Sequence, residues 1–287
     1  MNAYKDTIDT FFDRWETICN DDFDAFMQLL NTYPLQYVKY AEQKLIEKDP
    51  TGWWCYLFAW DVTGADVPLL QDAVIEKDKT GELCYWFARD VTDADIPSLQ
   101  QAVIDKDSTG ERCYLFAGYV EKADIPLLQR AVIDKDSTGE WCYWFAREVT
   151  DADIPSLQQA VIEKDSTGEW YYRFACYVDG ADVPLLQQAV VDKDLTGGWC
   201  YWFARDVTGA DVPLLRQTII EKDSTGEYLA KWIQNRDSMA LPDIVQALVE
   251  QDKPVPPLLA EQYPESLELY KKLQVTQKQD VMCEPFL

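Results

Sequence analysis

The fifteen residues DKDSTGEWCYWFARE, Asp134–Glu148, set two aspartates, two glutamates, a thiol, two indoles, a phenol and a guanidinium side by side. Three chemistries draw on such residues. D-x-D-x-T-G is the opening half of a calcium loop, which surrounds a hard cation with oxygens. A cysteine among polar neighbours suits a nucleophile or a metal ligand. Trp, Tyr and Arg on one helix face suit contact with a protein partner.

The first two readings weaken on inspection. Asp134, Asp136, Thr138 and Gly139 match the start of an EF-hand loop, but the twelfth position is Phe145, where a bidentate Glu is needed. The first position is a glutamate in other copies, Glu76 and Glu163. The chain has no histidine, which removes Ser-His and Cys-His nucleophiles and His-containing metal sites together. No C-x-x-C occurs. Cys55, Cys84, Cys113, Cys142 and Cys200 share one register position, which Tyr171 fills in another copy, so a ligand role does not fit. Stacked helices lie about 8–10 Å apart, beyond the ~7 Å Cα separation that a disulfide spans. These thiols read as small core hydrophobes. Cys176 replaces an arginine on the opposite helix face, and Cys19 and Cys283 carry no readable role. The sequence predicts no catalytic residue, no cofactor and no bound metal.

The elements that hold these residues are repeats. Pro68, Pro97, Pro126, Pro155, Pro184, Pro213 and Pro242 recur every 29 residues, as do Thr-Gly pairs beginning at Thr51, Thr80, Thr109, Thr138, Thr167, Thr196 and Thr225. Each unit reads as two helices. Asp153 is suited to an N-cap and Pro155 to the first turn, and Ile154, Leu157 and Val161 follow helical spacing. The second helix begins after DSTGE, where Ser137 and Glu140 have capping-box spacing, repeated by Ser108 with Glu111, Ser166 with Glu169 and Ser224 with Glu227. Cys142, Phe145, Ala146 and Val149 then form an apolar stripe. Short connections make successive helices antiparallel neighbours, and a unit this small must stack on others to bury its apolar face.

These tandem units, from about Pro34 to Lys253, resemble the HEAT and armadillo superfamily of helical repeats, although their period is shorter. The resemblance implies an all-α fold: a curved α-solenoid of two-helix, HEAT-like repeats with helical caps at both ends. The expected organisation is an N-terminal cap over 1–33, the solenoid over 34–238, and a final repeat helix with a C-terminal cap and loose tail over 239–287. Alternate units match best: CYWFAR begins at Cys84, Cys142 and Cys200, with CYLFAG at Cys113 and YYRFAC at Tyr171 between them.

On a helical wheel Tyr143, Trp144, Arg147 and Glu148 lie opposite the apolar stripe. The same positions hold Trp60; Tyr85, Trp86, Arg89 and Asp90; Tyr119; Arg173 and Tyr177; Trp202, Arg205 and Asp206. The Tyr position hardly varies, which also suits packing between units. The Trp, Arg and acid positions vary, as a partner-facing ladder would, with Arg–acid pairing as the alternative use of the arginines.

Acidic residues number 51 and basic ones 26, a formal net charge of −25. Such a chain repels nucleic acid and anionic membranes and attracts basic proteins. No apolar run is long enough to span a bilayer, and the acidic N-terminus does not read as a signal peptide, so a cytoplasmic location is expected. In charge and architecture the chain resembles the helical immunity proteins that bacteria raise against nuclease toxins. That resemblance implies a non-enzymatic inhibitor that stands in for nucleic acid in a basic partner's cleft, without binding nucleic acid or membrane itself. A general protein-interaction scaffold, its charge serving solubility, remains the alternative.

Overall fold

The computed structural model describes residues 3–236 and 240–282. It is all-α: nineteen α-helices and one short 3-10 turn, with no strand among the described residues. Contacts divide the chain into two compact units, Met1–Asp153 and Ile154–Leu287, so the division falls inside the repeat array rather than at either cap.

The first unit begins with α1 (Ala3–Asp13) and α2 (Asn20–Leu30). Pairs then follow with an even rhythm: α3 (Leu35–Lys48) and α4 (Trp53–Asp61), α5 (Val67–Lys77) and α6 (Glu82–Asp90), α7 (Ile96–Lys106) and α8 (Glu111–Tyr119), α9 (Ile125–Lys135) and α10 (Glu140–Glu148). The second unit continues it with α11 (Ile154–Lys164) and α12 (Glu169–Tyr177), α13 (Val183–Lys193) and α14 (Gly198–Asp206), α15 (Val212–Lys222) and α16 (Glu227–Arg236). It closes with α17 (Ala240–Glu250), α18 (Pro257–Gln262) and α19 (Glu265–Met282). The last helix carries the chain through 274–282, where a loose tail is expected from the sequence. Cys283 and the rest of that tail lie outside the described residues.

Within each unit, second helices pack on second helices: α4 on α6, α6 on α8 and α8 on α10 in one, α12 on α14 and α14 on α16 in the other. This is the regular stacking of an α-solenoid. The apolar stripe supplies the core. Cys55, Cys84, Cys113, Cys142 and Cys200 are fully buried, as are Phe58, Phe87, Phe116, Phe145, Phe174 and Phe203. Leu70, Leu99, Leu128, Leu157, Leu186 and Leu215 face them from the first helices. Each such side chain contributes about 1.5–3 kcal/mol by leaving water.

Four first helices, α5, α9, α13 and α15, start in the expected pattern, whereas Asp95 at α7 makes no side-chain cap bond. Asp66, Asp124, Asp182 and Asp211 accept the backbone N–H of the residue three positions on, with proline in the first turn. The starts of the second helices do not follow the expected pattern. The N-cap is the glycine of the Thr-Gly pair, and the expected Ser–Glu capping box does not form in α8, α10 or α12. The preceding aspartate replaces it. Asp136 is buried and accepts N–H bonds from Thr138 (2.8 Å), Gly139 (3.0 Å) and Cys142 (3.0 Å). Asp49, Asp78, Asp107 and Asp194 repeat the arrangement. A carboxylate has two oxygens and several lone pairs, so it satisfies the orphan N–H groups of the helix start more fully than a serine hydroxyl. Burial pushes the Asp78 and Asp107 carboxyls up, but these N–H bonds outweigh it and hold both below the usual carboxylate range. The glycine is required twice over. Gly81 has φ +81°, and a Cβ there would meet the Val103 backbone of α7 at 3.2 Å.

Candidate functional site

Two polar faces are built on this frame. The second helices carry the expected aromatic and arginine ladder. In the first unit Trp60 stands in the last turn of α4 at 58% exposure, its ring parallel to that of Tyr56. On α6, Arg89 binds Asp90 through two N–H bonds (2.7 and 2.8 Å) and lies over the Trp86 ring, 4.1 Å from its centre. The Arg89 guanidinium, joined by the Tyr56 hydroxyl, holds the Asp90 carboxyl below its usual range. On α10, Arg147 repeats the motif with Glu148 (3.2 Å) and Trp144 (5.2 Å). On α8, between them, Tyr119 is 58% exposed.

In the second unit Arg173 binds Glu169 (2.8 Å) one turn back and covers Trp170, and Tyr177 is 55% exposed. On α14, Arg205 binds Asp206 (2.6 and 2.8 Å) over Trp202 (3.9 Å). Asp206 also accepts the Tyr172 hydroxyl of the preceding pair, and Asn235 donates to Tyr201 from the following one (2.8 Å).

The ladder therefore sorts into two kinds of residue. Tyr85 and Tyr143 are buried behind it and accept N–H bonds from Arg89 (3.4 Å) and Arg147 (3.2 Å) through their hydroxyls. Arg89, Arg147 and Arg205 pair with the acid next to them, and Trp86, Trp144 and Trp202 are half-covered by those guanidinium groups. The aromatic area open to a partner is at Trp60, Tyr119 and Tyr177. A cleft of about 460 Å³ beside Tyr119 is lined by Arg89, Asp93, Glu121 and Lys122, charges of both signs.

The other face lies on the first helices, away from the residues that the helical wheel singles out. The first helices from α3 to α15 each end in an acid followed by a lysine. The lysines of α5, α7, α9, α13 and α15 turn inward and cap the preceding pair, whereas Lys48 of α3 is exposed. Lys106 donates to the Asp78 carbonyl (2.6 Å), Lys135 to that of Asp107 (2.6 Å), and Lys77 to those of Asp49 (2.6 Å) and Ile46. Lys193 and Lys222 do the same in the second unit. Carbonyls at a helix C-terminus are electron-rich and unsatisfied, so a cation there gains both a hydrogen bond and the dipole. The acids turn outward. Glu47, Glu76, Asp105 and Asp134 are exposed in the first unit, and Glu163, Asp192, Glu221 and Glu250 in the second. The first unit's ion pairs occupy other acids: Asp9, Asp66, Glu82, Asp90, Glu111 and Glu148. Exposed leucines stand two turns before the acids, at Leu69, Leu127, Leu185 and Leu214. The signal was in the sequence as an Asp/Glu-Lys-Asp triplet every 29 residues.

The D-x-D-x-T-G loop directs its second carboxylate at backbone N–H groups rather than at a cation. Among the described residues no group of three or more Cys, Asp or Glu side chains converges as a metal site requires. Burial pushes the Cys55, Cys84, Cys113 and Cys200 thiols up, away from the thiolate form that reactive cysteines need. Among the described residues no helix is long and apolar enough to cross a membrane. Neither protein-family models nor curated proteins match the chain.

Proposed function

We propose that the chain is a non-enzymatic, protein-binding solenoid of the cytoplasm that captures a basic protein, in the manner of an immunity protein neutralising a nuclease toxin. One observation carries this reading: the lysines of the first helices turn into the seams while the adjacent acids turn outward. Opposite charges that would cancel along the chain are thereby separated in space. The exposed acids recur once per repeat, as phosphates recur along a strand, and attract a basic cleft over about a Debye length. Trp60, Tyr119 and Tyr177 add anchors of the type that dominates interface energies.

The test is capture by the immobilised chain from extract of its own cells, with elution in rising salt. The expected result is one basic, nuclease-like protein released by moderate salt. The triple variant Glu76→Lys, Asp105→Lys, Asp134→Lys should slow its association at least about tenfold. Purified partner should lose nuclease activity when the chain is added.

The exposed leucines and tyrosines favour a second reading, a general interaction scaffold. Partners of ordinary charge that stay bound in high salt would establish that reading and overturn the first.

A further inference from the structure

One position of the first helices holds a buried glutamine in pair after pair: Gln71, Gln100, Gln129, Gln158 and Gln187. Its Oε1 accepts the backbone N–H of the aspartate that opens the next first helix, at 2.7–2.8 Å. Gln71, Gln129 and Gln158 also donate Nε2–H to that aspartate's carbonyl, at 3.3–3.4 Å. The amide suits a site that offers one donor and one acceptor.

In α3 the same position is Glu42. Its Oε1 accepts the Asp66 N–H (2.6 Å), its side chain is 1% exposed, and its Oε2 has no hydrogen-bond partner. A carboxylate has no hydrogen to give where the glutamines donate, and a protonated carboxyl has one. The surrounding charges are few. Lys39, on the same helix, has its Nζ 3.6 Å from Oε2 but only 3.0 Å from Asp66, and is 38% exposed. Asp66 faces Glu42 from the start of α5, and the buried Cys55 thiol faces it from α4. From α1, Asp9 is engaged by Lys44 and Tyr40, and Lys5 lies over Tyr40. Burial raises the Glu42 pKa most and Asp66 adds to it. The Asp66 N–H and Lys39 oppose, and the net shift is upward.

We propose that Glu42 stands in the folded chain as the neutral acid, donating through its carboxyl hydrogen where the other pairs use a glutamine amide, so that the α3–α5 seam is a pH-sensitive joint. A group whose pKa is higher folded than unfolded lends stability that is complete below its unfolded pKa. That stability is lost as pH rises through the folded value. Above it, a buried charge must be accommodated, and the seam opens more often.

The test uses the full chain with ¹³C-labelled glutamate. The Glu42 carboxyl signal, assigned by its absence in Glu42→Gln, is titrated, and amide exchange of α3 and α5 is followed over the same range. Expected are a midpoint above the ordinary carboxylate range and opening that accelerates with pH in the wild type but not in Glu42→Gln. Opening in the wild type should rise between the unfolded carboxyl's value and that midpoint and level off above it, while Glu42→Gln stays flat relative to it. Asp66→Asn, which removes a like charge and frees Lys39, should move the midpoint down but leave opening dependent on pH. An ordinary or lowered midpoint, a profile unchanged in Glu42→Gln, or a profile lost in Asp66→Asn would overturn the proposal.

Discussion

Asp107 is a buried carboxylate held by three backbone N–H groups and the Thr109 hydroxyl. Asp107→Ala would leave those N–H groups without an acceptor at the start of α8 and should cost about 3 kcal/mol in urea unfolding. Asp107→Ser should recover little, because one hydroxyl cannot replace two oxygens. The folded pKa values of Asp78 and Asp107 are lowered, so the stability they lend is full above the unfolded carboxyl's pKa and lost as pH falls through the folded value. Stability followed by circular dichroism should therefore fall as pH drops below the ordinary carboxylate range, and fall less in Asp107→Asn. The sequence did not reveal this role. Ser108 with Glu111 has the spacing of a capping box, whereas the buried state of Asp107 depends on the left-handed Gly110 and on α9 closing over the loop, both products of packing. Phe116 and Cys113 were legible because helical spacing alone places them on one face.

The turns between one pair and the next need a residue with positive φ. Gly64, Gly180 and Gly209 supply it freely, whereas Asp93, Lys122 and Asp151 hold φ of 62–64° with a side chain. Lys122→Gly should therefore raise the melting temperature, the relief of about 1 kcal/mol outweighing the added freedom of the unfolded chain. Differential scanning calorimetry measures it directly. The helices themselves were legible, because a 29-residue period multiplies every weak local signal by the number of copies. The seams were not. Gln100 and Lys106 are polar residues that read as solvated, yet each reaches into a neighbouring pair. A bond between residues 24 or 28 apart leaves no mark on a helical wheel. The same limit applied to the ladder, where Tyr143 shares a wheel face with Arg147 but is buried beneath it.

A chain of net charge −25 with outward acids in register repels itself. Screening should relieve part of that cost, so the melting temperature should rise between about 0.01 and 0.3 M sodium chloride, where the Debye length falls from ~30 Å towards ~6 Å. A fall over that range would mean that attractive pairs such as Lys39–Asp66 dominate. The seams have a further consequence. The bonds that join successive pairs are the Tyr hydroxyl to an acid, the Gln amide to an aspartate backbone and the Lys ammonium to a helix-end carbonyl. All are spaced by the same repeat, and each pair offers its neighbour the same groups. Removing residues 65–122, two repeats, would bring Lys135 to the carbonyls that Lys77 now caps, Asp124 to Glu42, and Glu148 to Tyr56. Such a gene could lengthen or shorten by recombination between its own copies without inventing a new junction, and the length of the array becomes a trait that heredity can adjust in whole steps.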